Sequence, residues 1–228
     1  MAVLGLLAAS IGLAVLFGPQ LWISHQMKKH ATPRDDFPGT GGELAEHLAE
    51  HFELNGVGVE RFEGGDHYDP ETRTVRLSPD NFDGTSLTAV AVAAHEIGHA
   101  IQHHKGERGL ALRQRLVGWV VATDKIASIF FLAAPVLGAV IRTPAAFFGL
   151  IATGVLLLGI RILVHLVTLP VEYDASFNKA LPILKEGGYL KDEDLGHARG
   201  VLKAAAFTYV AQALTSLLDL ARWIRILR

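Results

Sequence analysis

The sequence predicts a mainly α-helical, multi-pass membrane protein that also carries a small antiparallel β-hairpin or sheet. Half of the 228 residues are hydrophobic and only 19% are charged, and the mean hydropathy is +0.30. This balance is too apolar for an ordinary soluble domain. Residues 1–23 are uncharged and reach the length of about 20 residues that a helix needs to cross a bilayer, and long apolar stretches occur again after residue 116. The formal net charge of −2 argues against a nucleic-acid-binding protein.

Residues 1–23 contain no charged side chain and are predicted to form an N-terminal transmembrane anchor. Lys28 and Lys29 follow this stretch, so the positive-inside rule places its C-terminal flank in the cytoplasm. A cleaved secretory signal is the alternative, but its positive charge would come first and a small-residue cleavage site would end it. Residues 31–39, which contain two prolines, indicate a linker.

An amphipathic helix and two short strands are predicted next. Residues 40–54 carry leucines on one stripe, and the two histidines of this helix, His47 and His51, are expected to form an exposed surface pair. Residues 57–62 and 73–77 have strand character, with a polar, turn-rich stretch between them. The second strand either offers a free edge to an extended peptide or braces the helix behind it, and both alternatives stay open.

The next predicted helix, residues 87–102, carries the motif H-E-x-x-H. Ser86 can cap its start, and the residues before the motif are all apolar, so the helix is expected to be buried nearly all round. His95 and His99 are four residues apart and share one helix face, where two imidazoles can bind one Zn²⁺. Glu96 is rotated by roughly 100° from His95, which suits a general base for a zinc-activated water better than a ligand.

Two apolar stretches after the motif helix predict a transmembrane helical hairpin over residues 116–169. A basic run precedes the hairpin, and two spans joined by a tight turn return the chain to the same side. Arg161 and His165 are ionisable residues within the second span, where such groups usually face protein or a water-filled cavity. Residues 204–224 form a last apolar helix, which either crosses the membrane or lies along its surface.

A third metal ligand is expected after the hairpin. Catalytic zinc needs three protein ligands and an open position for water, and no cysteine is present to supply a thiolate. Glu172 returns to the membrane face that carries the motif helix, on a helix expected to start just before Pro170. Asp174, about 200° around that helix, is the best rival. Three further carboxylates are expected to be solvated loop or cap residues: Glu186, Glu193 and Asp194.

These motifs together resemble the YugP-type family of bacterial membrane-bound neutral zinc metallopeptidases. The resemblance covers nearly the whole chain, and the shared segments that carry it are Asp66–Pro70, Arg76–Ser78, Val92–Gln102, Leu169–Ser176 and Ala206–Ala211. The resemblance implies a zincin-like catalytic domain at the membrane surface, of the gluzincin kind. It also implies that His95, His99 and Glu172 bind the zinc ion and that Glu96 is the base. More distant gluzincin membrane proteases carry Asp four residues after the ligand Glu, a position that Ser176 occupies here.

The chain is therefore expected to be a zinc-dependent endopeptidase in the inner (cytoplasmic) membrane, with its active site facing the cytoplasm. Its partners would be the lipid bilayer and a peptide or protein substrate, which could itself be a membrane protein. The predicted organisation has four segments, which are an anchor over 1–23, a catalytic region over 24–115, the hairpin over 116–169 and the third-ligand and C-terminal helices over 170–228.

Two other classes of function and two further residues stay open. A catalytically silent membrane scaffold with structural zinc would be favoured by a fourth ligand. A metal transporter or sensor has only the intramembrane Arg161 and His165 in its support.

His67 is expected to be a hairpin residue, with an oxyanion donor as the alternative. Tyr209 is expected to pack in the core, with a transition-state hydrogen-bond donor as the alternative.

Overall fold

A computed structural model of the protein confirms the predicted class of a mainly helical chain with a small sheet. It describes the backbone of residues 2–140 and 143–226, and the side chains of these residues except at 2–9, 11, 15–16, 122, 124, 134–135, 138–140 and 219–226. The elements in chain order are α1 (Ala2–Lys29), α2 (Gly41–His51), β1 (Gly58–Arg61), β2 (His67–Asp69), β3 (Thr74–Leu77), α3 (Pro79–Phe82), α4 (Leu87–His104), α5 (Arg108–Val140), α6 (Pro144–Tyr173), a π-helix (Asp174–Ala180), α7 (Leu181–Glu186) and α8 (Asp192–Ile226).

The chain divides into two compact units. The first unit comprises Met1–Gly18, Leu112–Thr168 and Tyr209–Arg228, and the second comprises Pro19–Ala111 and Leu169–Thr208. The second unit contains the sheet and the whole motif helix. The division into four segments that the sequence predicts is a different partition, and it stays a prediction.

Three helical stretches of the described residues are long and apolar enough to cross a membrane. They are Arg108–Ala133, Pro144–Glu186 and Asp192–Leu218. The first two correspond to the predicted hairpin, and the third begins before the predicted apolar helix 204–224. The predicted anchor covers residues 1–23, and a large part of its side chains lies outside the described residues. The described backbone of this stretch belongs to α1, which begins at Ala2.

Helix α4 is the central element of the second unit. Every residue from Leu87 to Gln102 is buried, which confirms the expectation from its apolar sequence. The hydroxyl of Ser86 accepts a hydrogen bond from the backbone N–H of Ala89 at 3.1 Å, so the predicted cap is also present. Helix α2 and the π-helix pack against α4. On α2, His47 and His51 are both exposed, as expected for a surface pair.

The sheet is mixed, with strand order β1-β3-β2. Strand β1 pairs with β3 in parallel, and β2 pairs with β3 antiparallel. The stretch predicted to be a turn thus contains a strand, which is held on α4 by a 2.8 Å hydrogen bond between the Tyr68 hydroxyl and His103 Nδ1. Because β3 lies in the middle of the sheet, the structure contradicts the first of the two open alternatives, in which residues 73–77 offer a free edge to a peptide.

Helix α6 continues through Pro170 to Tyr173, so the prediction that a new helix starts just before this proline is wrong. A proline lacks the N–H that an interior helical residue donates, yet the helix continues for three residues and passes directly into the π-helix. The wider π-helical turn lies close to α4 at Gly98, where an added Cβ would be 2.8 Å from the carbonyl oxygen of Ala175. This close approach brings the end of α6 beside the motif.

Candidate metal centre

Three side chains with metal-binding atoms meet between α4 and the end of α6. The Oε2 atom of Glu172 is 3.2 Å from Nε2 of His95 and 3.3 Å from Nε2 of His99. All three residues are buried, with exposed fractions of 2–4%. Among the described residues, these form the one group of three or more histidine or acidic side chains whose ligand atoms are close enough to hold a metal ion.

The distances between these atoms suit a tetrahedral zinc ion. Ligand distances of about 2.0–2.1 Å in a tetrahedron place neighbouring ligand atoms about 3.3–3.4 Å apart, and Glu172 lies at 3.2 and 3.3 Å from the two imidazoles. Two imidazoles and one glutamate are a donor set of catalytic zinc sites, which leave the fourth position for water. Within the described part of the chain, no fourth histidine or acidic side chain joins the group.

The other ring nitrogen of each histidine has a hydrogen-bond partner. Nδ1 of His95 is 3.0 Å from the hydroxyl of Ser176. Nδ1 of His99 is 2.9 Å from the side-chain oxygen of Gln102. Sequence reasoning noted Ser176 only as a departure from related proteases and missed Gln102. The signal for Gln102 was its position three residues after His99, which places both on one face of α4.

Asp174, the rival for the third ligand position, lies outside the group. Its carboxylate accepts hydrogen bonds from the side-chain amides of Gln102 at 2.8 Å and Asn178 at 2.9 Å. It also forms an ion pair with Lys179, which pairs in turn with Glu107 at 3.0 Å. Asp174 therefore belongs to a network that begins at Gln102, whereas Glu172 faces both imidazoles.

The other residues that sequence reasoning singled out lie elsewhere. Asp194 was expected to be solvated, but that expectation is wrong, because it is 5% exposed and pairs with Arg34 at 2.6 Å. His67 lies on β2, which pairs antiparallel with β3, as expected for a hairpin residue. Its Nδ1 is 2.8 Å from the carbonyl oxygen of Gly65. Tyr209 belongs to the first unit, where the guanidinium of Arg113 donates a 2.6 Å hydrogen bond to its hydroxyl.

Glu96 follows His95 on α4 and is 6% exposed. The helical geometry sets its side chain roughly 100° away from that of His95, so it lies next to the metal-binding face and outside the ligand group. A carboxylate in a buried position with little bulk water is suited to exchange a proton with a reacting molecule. The arrangement therefore combines a candidate metal site with an adjacent buried carboxylate.

Known proteins resemble this chain over nearly its whole length. The sequence profile of a family described as "Putative neutral zinc metallopeptidase" matches residues 5–228. The chain is also 35% identical over 220 residues to a Bacillus subtilis (strain 168) protein named "Putative membrane protease YugP", and the match covers 96% of this chain and 93% of that protein. No solved structure gives a significant match.

Proposed function

This chain belongs to the family of neutral zinc metallopeptidases, and on that premise we propose that it is a membrane-embedded, zinc-dependent endopeptidase. The observation that carries the proposal is the meeting of His95, His99 and Glu172 in one buried group whose spacing fits zinc. Glu96 adds a base beside that group. The reaction is hydrolysis of a peptide bond in a peptide or protein substrate.

The residues of the site divide into ligands and a base. When bound, zinc supplies a Lewis acid that lowers the pKa of water toward about 7 and polarises the scissile carbonyl. His95, His99 and Glu172 hold the ion, and their burial keeps bulk water away from the reacting groups. Glu96 accepts a proton from the attacking water and later donates it to the leaving amine.

The proposed setting is the inner membrane, with the motif helix on the cytoplasmic side. Two sets of observations support it. Three helical stretches of the described residues could span a bilayer, and the relative from Bacillus subtilis is named a membrane protease. Lys28 and Lys29 before the catalytic region, and a basic run after α4 that includes Lys105 and Arg108, follow the positive-inside rule for a cytoplasmic segment.

Removal and return of the metal test the proposed function. Protein purified in detergent is expected to contain about one zinc ion per chain and to cleave casein. Treatment with 1,10-phenanthroline should remove both the zinc and the activity, and added Zn²⁺ should restore both in parallel. Full cleavage by metal-free protein would contradict the proposal.

Two double variants serve as a matched pair for this experiment. His95→Ala/His99→Ala removes both imidazole ligands and should abolish zinc binding and cleavage. His47→Ala/His51→Ala removes an exposed histidine pair of the same spacing on α2 and should retain both properties. Cleavage of casein by the first variant would show that a contaminating peptidase or a different site is responsible.

A further inference from the structure

We propose that Ser176 and Gln102 are positioning residues that hold the proton of each ligand imidazole on Nδ1. Nε2 of each ring, 3.2 Å (His95) and 3.3 Å (His99) from Oε2 of Glu172, is then the nitrogen that is left to bind the metal. The inference rests on the proposed zinc site and concerns how the chain prepares it. Four elements take part. Gln102 lies on α4 and Ser176 on the π-helix, and their acceptors lie on α6 (Val171), the π-helix (Asp174) and α8 (Leu202).

The proton on His95 follows from the hydrogen bonds of Ser176. The backbone carbonyl of Leu202 can only accept a hydrogen bond, and it lies 3.2 Å from the Ser176 hydroxyl. When the single hydroxyl hydrogen goes to Leu202, the oxygen of Ser176 also accepts from Nδ1 of His95 at 3.0 Å, so two hydrogen bonds form; a hydroxyl that donated to Nδ1 would form only one. A neutral imidazole that donates from Nδ1 presents an unprotonated Nε2.

The proton on His99 follows from the orientation of the Gln102 amide. Its Nε2 donates to the carbonyl oxygen of Val171 at 2.9 Å and to a carboxylate oxygen of Asp174 at 2.8 Å. The flipped amide would place its oxygen against two acceptors, so these contacts fix the orientation. Oε1 of Gln102 must then accept from Nδ1 of His99 at 2.9 Å, which in a neutral ring again leaves Nε2 unprotonated.

Asp174 and Lys179 keep the Gln102 amide in this orientation. The Lys179 ammonium pairs with both Asp174 and Glu107, so the Asp174 carboxylate stays an acceptor for Gln102. Gln102 itself is 1% exposed, so water does not compete for its amide. Asp174, the rival for the third ligand position, thus affects the metal site through its hydrogen bond with Gln102.

A preset tautomer has a measurable consequence for metal binding. Each imidazole can bind zinc without moving a proton between its nitrogens, and its ring is already oriented. Loss of such a hydrogen-bond partner typically lowers metal affinity by roughly 10–100-fold. Ser176→Ala and Gln102→Met are therefore each expected to weaken zinc binding by roughly that factor.

The direct test is ¹⁵N NMR of the histidine rings in the metal-free, full-length protein in detergent, at a pH where the imidazoles are neutral. The wild type should carry the proton on Nδ1 of both His95 and His99. Ser176→Ala should give mixed tautomers at His95 alone, and Gln102→Met should give them at His99 alone. A proton on Nε2 in the wild type, or tautomers that neither substitution changes, would overturn the proposal.

Matched variants separate positioning from folding. Ser86→Ala removes another buried serine hydroxyl at the start of α4 and should leave both tautomers and the zinc affinity unchanged. Ser176→Thr keeps the hydroxyl and should preserve the wild-type tautomer at His95. If Ser176→Ala does not fold, Ser176→Cys replaces it, because sulfur is a weak acceptor in a similar volume.

The outcome is distinguishable from failure of the proposed function. The tautomers are read without metal and without substrate, so protein that cleaves nothing but shows the expected NMR pattern would contradict only the peptidase proposal. Protein that binds zinc and cleaves casein normally, with tautomers and zinc affinity indifferent to Ser176 and Gln102, would contradict only the positioning roles.

Discussion

Gly98→Ala is expected to damage both the stability of the protein and its affinity for zinc. The added Cβ would lie 2.8 Å from the carbonyl oxygen of Ala175 and 3.3 Å from its Cα. An ordinary contact begins at about 3.4 Å, so α4 and the π-helix would have to separate by about 0.6 Å. The atoms that the added Cβ would meet are backbone atoms of Ala175, which is 0% exposed, so no flexible side chain can absorb the change.

The size of the effect follows from this displacement. Overpacking of a buried contact costs about 1–3 kcal/mol. A separation of about 0.6 Å would also lengthen the 3.0 Å hydrogen bond between Ser176 and His95 beyond the useful limit, and it would draw Glu172 away from both imidazoles. The zinc affinity is therefore expected to fall by roughly 10-fold or more.

Thermal unfolding in detergent and zinc titration of metal-free protein measure the two effects. Gly196→Ala is the matched control, since Gly196 is an exposed glycine in α8 with no atom near an added Cβ. Alanine is favoured over glycine in a helix by about 1 kcal/mol, so the control should be as stable as the wild type or more stable. A Gly98→Ala protein with wild-type stability and zinc affinity would refute the close packing of α4 against the π-helix.

Three further predictions concern the third ligand, pH and topology. Glu172→Ala should lower the zinc affinity by at least roughly 10-fold and Asp174→Ala by less; zinc loss in the Asp174 variant alone would exchange their roles. Burial, followed by nearby positive charge, lowers the pKa of His103, so the folded state favours the neutral ring. The free energy of unfolding should then decrease as the pH drops through about 6.5 toward the pKa of the folded state. In thermal unfolding measured against pH, His103→Gln should reduce this decrease, and an unchanged dependence of stability on pH would contradict the prediction. A reporter fused after Lys29 should read as cytoplasmic, and a periplasmic result would invert the topology.

The motif helix could be predicted because its signals are local. The cap at Ser86, the apolar run before the motif and the four-residue spacing of His95 and His99 all lie within one segment. Glu172 required a longer argument, from the return of a predicted helical hairpin and from family resemblance. The structure brings these residues together, and their role as zinc ligands stays a proposal.

Other features depend on contacts between distant segments, which local patterns do not report. Strand β1 pairs with β3 in parallel, and the chain between them contains the strand His67–Asp69, which pairs with the other side of β3. This strand lies in a stretch whose composition indicates a turn. The continuity of α6 through Pro170 and the π-helix that follows have no simple sequence signature. Asp194 looks like a solvated cap residue until Arg34, 160 positions away, is placed beside it.

The role of Glu96 is the most direct test of the central claim. Zinc content and casein cleavage should be measured on detergent-purified wild-type protein and on Glu96→Gln in parallel. The amide cannot accept a proton from water, while both histidines and Glu172 remain, so the variant should keep its zinc and lose its peptidase activity. The general acid–base step contributes typically 10²–10⁴-fold, so cleavage should fall by at least about 100-fold. Loss of zinc from this variant, or cleavage at the wild-type rate, would contradict the assignment of Glu96 as the base of a zinc peptidase.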